Sequence, residues 1–92
     1  MRATFAGGNP ARGKVDLDIA LARPGNVSVD VYDVAGRRIA SPAHELAFAA
    51  GTHRVSWDGR RTDGGLVGSG VYFVRVIHPD ITWSRAVTWL GP

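Results

Sequence analysis

The feature that most limits what this chain can fold into is a strict alternation of apolar and polar residues. "KVDLDIAL" sets Val15, Leu17, Ile19 and Leu21 on one side and Lys14, Asp16 and Asp18 on the other. An amphipathic helix repeats near 3.6 residues, so a period of two specifies a strand buried on one face. "NVSVDVYDV" repeats the pattern with Val27, Val29 and Val31 inward, and "THRVSW" does so with His53, Val55 and Trp57. "GVYFVRVIH" is apolar on both faces for most of its length, which predicts a strand at the centre of its sheet.

Turn chemistry separates these runs. In "DVAG", Asp33 suits the first position of a type I turn and Gly36 a residue with positive φ. "RRIA" reads as a short return strand around Ile39. From Ser41 to Ala50 the alternation fades; a helical turn capped by Ser41 competes with a loop or short edge strand ending at Gly51, and the loop is the expectation because the surrounding pieces are strands and the stretch is too short for a packed helix. "HPD" turns the chain, and "ITWSRAVTWL" supplies a last strand. Short strands at intervals of roughly ten residues predict an all-β sandwich of about seven antiparallel strands. Residues 1–8 are read as an N-terminal extension and residues 9–92 as the sandwich. One domain is expected of 92 residues.

Composition excludes several functions. There is no cysteine, hence no disulfide and no thiolate nucleophile or ligand. No apolar run approaches the ~20 residues of a membrane-spanning helix. The net charge of +3 comes mostly from arginines that are scattered along the chain, apart from the pairs Arg37-Arg38 and Arg60-Arg61. A nucleic-acid surface would gather them on one face, so no nucleic acid is expected as a partner. His44, His53 and His78 lack the spacing of a zinc site.

The stretch from Trp57 to Gly70, "WDGRRTDGGLVGSG", invites a chemical reading. A phosphate-binding loop must open a helix, whereas this one leads into "VYFVRV", a strand. For calcium, Asp58 and Asp63 are followed by no glutamate, and the alternate positions hold Arg60 and Thr62. An irregular calcium site using carbonyl oxygens is the alternative to the preferred reading, in which both aspartates bond nearby amides in turns. Asp33, Gly36, Trp57, Asp58, Gly59, Asp63, Gly65 and Gly70 are therefore taken as structural or turn residues. No catalytic, cofactor-binding or metal-ligating residue is assigned, and no enzyme activity is expected.

Asn9-Pro10 before the first strand, then "YDVAGR", "WDGR" and "SGVYF" in this order, resemble the immunoglobulin-like domain shared by the flagellar hook-capping protein and by C-terminal domains of many secreted bacterial proteins, including type IX secretion sorting domains. The resemblance runs from about Asn9 to Leu90 and implies an immunoglobulin-like sandwich. In it the glycine-rich segment joins two strands: Trp57 is buried, and Gly64, Gly65, Gly68 and Gly70 supply backbone angles closed to other residues. It further implies a non-catalytic C-terminal sorting or anchoring module of a secreted or cell-surface bacterial protein, with secretion or surface-attachment machinery as its partner. The chain ends "TWLGP", without the basic tail common to sorting domains.

The alternative is a self-assembling subunit of an extracellular fibre, sheath or cap, whose partner is other copies of itself. It is motivated by Trp83, Val87 and Trp89, which share one face of the last strand and are candidate interaction residues unless they close the domain's own core. A third reading docks carbohydrate on Tyr32 with Tyr72 or Trp83.

Overall fold

The computed structural model describes residues 1–79 and 81–92. Among them every regular element is a strand: β1 (Arg2–Phe5), β2 (Val15–Leu21), β3 (Gly25–Tyr32), β4 (Arg38–Phe48), β5 (Gly51–Trp57), β6 (Gly70–His78) and β7 (Ile81–Trp89). They form two antiparallel sheets, ordered β1-β2-β5 and β4-β3-β6-β7. This is the expected immunoglobulin-like β-sandwich. Alternation dictates its interior: Val15, Leu17, Ile19 and Leu21 of β2 face Val27, Val29 and Val31 of β3, joined by Val74, Val76, Val87 and Trp89, all buried. Burying each such side chain contributes about 1.5–3 kcal/mol, and one contiguous cluster contains them all.

Three features differ from the reading of the sequence. Residues 2–5, set there outside the sandwich, pair with β2 from Arg2 opposite Ala20 to Phe5 opposite Leu17. Ala3 is buried, and the Phe5 ring meets Trp83 edge-on at 5.8 Å. The segment expected as a short strand and a loop is one eleven-residue edge strand, β4. Its partners in β3 advance by two residues (Val31, Val29, Val27) while its own advance by three (Ala40, Ala43, Leu46), because irregularities in register recur along the pair. Such bulges insert an extra residue and tilt an edge away from further pairing. Finally, β6 lies inside its sheet as expected, yet its second face is open: Val71, Phe73 and Ile77 are 42%, 38% and 38% exposed.

The edge of β7 is partly covered. Asn9 follows its neighbour into a cis Asn9–Pro10 bond, accepts from the Thr88 amide at 3.0 Å and donates to the Ala86 carbonyl at 3.4 Å. Ala11 then donates to Thr88 and accepts from Leu90, continuing as a short parallel bridge opposite Trp89. The expected "HPD" turn includes Asp80, which lies outside the described residues.

Candidate functional site at the glycine-rich loop

The loop after β5 folds on itself. Arg60 bridges Leu66 antiparallel, Gly64 donates to Arg61, Arg61 to the Gly65 carbonyl, and Val67 to Gly59. Trp57 anchors it: the indole Nε1 donates to the Arg60 carbonyl at 2.9 Å, and the buried ring lies 5.4 Å from both Tyr72 and Trp89. Asp58 accepts the Arg60 amide at 3.2 Å and Asp63 the Gly65 amide at 2.9 Å, so both carboxylates hold turns. Asp33 does the same one turn away, taking the amides of Ala35 and Arg37 and the Arg37 guanidinium at 3.0 Å. The Arg37 amide, its largest influence, holds the Asp33 carboxyl below its ordinary value. Among the described residues no three His, Asp or Glu side chains are grouped to hold a metal.

The glycines divide by role. Gly36, Gly59, Gly64 and Gly70 have positive φ, whereas Gly65 and Gly68, expected to share that property, do not. Gly59 is the constrained one: a Cβ there would overlap the Trp89 ring.

Sequence reading missed what this loop does to the arginines. Thr62 donates its amide to the Ile39 carbonyl at 3.0 Å, which draws the loop against the start of β4. The pairs Arg37-Arg38 and Arg60-Arg61, distant in sequence, thereby come to one end of the sandwich. Two depressions open there. One, of about 630 Å³, runs from Lys14 and Ser56 over Ala40 and Pro42 to Arg61; the other, of about 430 Å³, lies between Arg38 and Arg61. Arg61 and Thr62 line both, so the two form one groove. Only the paired spacing of the arginines hinted at it.

The candidate interaction residues of the last strand are placed otherwise. Val87 and Trp89 are buried in the domain's own core, and Trp83 is half-buried against Phe5. Val87 and Trp89 thus take the alternative set against a contact face, closure of the domain's own core. The aromatics considered for carbohydrate do not form one platform, since Tyr32 lies under Arg75 at 5.1 Å and the Tyr72 hydroxyl donates to the Gly68 carbonyl.

A family model described as the FlgD Ig-like domain matches residues 2–78. The chain belongs to that family. Among solved structures it is similar to FlgD from P. aeruginosa, with 24% sequence identity and a TM-score of 0.59. The match covers 82% of this chain and 58% of that one, so the chain spans little more than half of that relative, and the likeness is one of fold. Comparison with curated proteins finds no match. The family match supports the hook-capping side of the resemblance and leaves the type IX sorting domain without support. It also begins at residue 2 and so takes in β1.

Proposed function

We propose that this FlgD Ig-like domain is a non-catalytic structural module of an extracellular bacterial assembly, acting by contact with further copies of itself. The observation that carries this reading is the family match over residues 2–78, and it favours the self-assembling alternative over the sorting or anchoring module. The contact surface follows from charge. Copies of a +3 chain repel one another wherever that charge is displayed. On the outer face of β3, β6 and β7 it cancels: Asp30 stands opposite Arg75 in register, and the neighbouring positions are Val71, Phe73, Ile77, Tyr32, Ser84 and Ala86. Arg75 is laid over Tyr32, which leaves the central apolar stripe uncovered.

Sedimentation velocity over a range of protein concentrations tests this. The expected outcome is a shift to larger species with concentration, abolished in Phe73→Glu, which places a charge in the stripe while leaving the inward residues of β6 intact. A wild-type chain that stays monomeric at every concentration would overturn the reading.

A further inference from the structure

The groove at the loop end has no role in self-association through the outer sheet face, and its charges are unevenly used. Arg37 closes on Asp33 at 3.0 Å, Arg60 approaches Asp58 at 3.7 Å and Lys14 approaches Asp16 at 3.6 Å. Arg38 and Arg61 are exposed, line the same depression and have no carboxylate among the described residues within salt-bridge distance. Arg61 continues into the second depression, whose floor is Ala40 and Pro42. Two free guanidinium groups at one end and an apolar floor at the other describe an elongated, mixed surface.

We infer that this groove binds an extended acidic segment of a different protein, with carboxylates on Arg38 and Arg61 and an apolar side chain over Ala40 and Pro42. Guanidinium groups take carboxylates through paired N–H donors. Alternate residues of an extended peptide lie about 7 Å apart on one side, so one short segment can present both a charge pair and an apolar contact. The occupant is not a second copy of this chain. Of its acidic groups among the described residues, Asp16, Asp18, Asp33 and Asp58 are engaged by its own cations, Asp30 is buried, and Asp63 lines the groove itself, which leaves Glu45 as a single exposed carboxylate where Arg38 and Arg61 call for two. Nucleic acid fits less well, because Asp33, Asp58 and Asp63 on the same rim repel a continuous line of phosphates.

Fluorescence anisotropy with a labelled peptide alternating glutamate and leucine tests the inference, with a lysine–leucine peptide and a DNA duplex as comparisons. The glutamate peptide is expected to bind and the lysine peptide not. Arg38→Glu and Arg61→Glu should each weaken binding about tenfold or more, with the milder Arg→Gln changes in the same direction. Arg12→Glu alters net charge equally at an exposed site outside the groove and should change affinity less than about twofold. Equal losses in Arg12→Glu and the groove variants would reduce the effect to diffuse charge and overturn the site. Tighter, Arg38-dependent binding of DNA would overturn the peptide assignment, as would absence of peptide binding. Phe73→Glu should leave peptide binding intact, so this site and the self-association surface fail or stand separately.

Discussion

Gly59 and Trp89 meet where the glycine-rich loop crosses the end of β7, and the contact shows how little a glycine's identity reveals without its neighbour. Gly59 has φ of 76° and Gly36 of 82°, so both occupy backbone space that costs other residues about 1–2 kcal/mol. Only at Gly59 would a Cβ also strike a buried indole; at Gly36 nothing lies within 4 Å. Overpacking of that kind adds about 1–3 kcal/mol. Gly59→Ala is therefore expected to lower unfolding free energy by about 3 kcal/mol, and Gly36→Ala by about 1 kcal/mol, measured as urea midpoints at constant slope. Equal losses would mean that the Trp89 ring yields without cost. The concentration of glycine after Trp57 marked the segment as a turn from sequence alone. Which glycine tolerates no side chain depended on a tryptophan brought there by the pairing of β6 with β7, and no local pattern records that.

At the scale of elements, legibility follows regularity. β2, β3 and β5 keep a period of two because each has one face on the core and a neighbour in regular register, β2 with β5 and β3 with β6, so their inward residues could be read directly. β4 could not: its contacts with β3 fall at Ala40, Ala43 and Leu46, and a spacing of three resembles a helical turn more than a strand. Its edge position and bulges, the Glu45 backbone at φ 46° among them, erase the signal. The pairing of β2 with β5 carries a further consequence on its outer face. Arg54 donates to both oxygens of Asp18 at 2.9 and 3.2 Å, and Ser56 donates to Asp16. The Arg54 hydrogen bond chiefly lowers the Asp18 carboxyl, and the Ser56 hydrogen bond chiefly lowers that of Asp16, from an ordinary value of 3.8. A carboxyl whose folded value is depressed contributes stability that is complete above the unfolded value and disappears as pH falls through the folded one. Thermal midpoints should thus hold steady above about pH 5 and decline below about pH 4. Asp18→Asn should be less stable than wild type at neutral pH and lose less on acidification. An unchanged acid slope in that variant would show that the Arg54 pair is too exposed to matter.

The whole molecule is a sandwich whose two sheets are tied at both ends, by Trp57 against Trp89 and Tyr72 at one and by Phe5 against Trp83 at the other. Fold class was legible because most of the core comes from strands with clean alternation. The limit of the domain was not, since "RATF" has only Ala3 and Phe5 to show for an inward face, too short a run to distinguish from an extension. The groove was illegible for a different reason: the Thr62 amide and hydroxyl both donate to the Ile39 carbonyl, a long-range contact that joins two arginine pairs across the fold. Whether β1 belongs to the sandwich energetically can be tested by removing residues 1–6. That deletion strips Ala3 from the core, uncovers Trp83 and frees the edge of β2 along four residue pairs. Loss of the Phe5 contact and of this burial is worth about 2–3 kcal/mol, which in a domain of this size corresponds to a fall of about 10–20 °C in thermal midpoint. The truncated chain should also aggregate more readily on heating, because the backbone edge of β2 that β1 pairs with is then open. A midpoint within about 2 °C of the full chain would mark Arg2–Phe5 as an appendage, and would return the domain's beginning to Asn9, where its side chain grips β7.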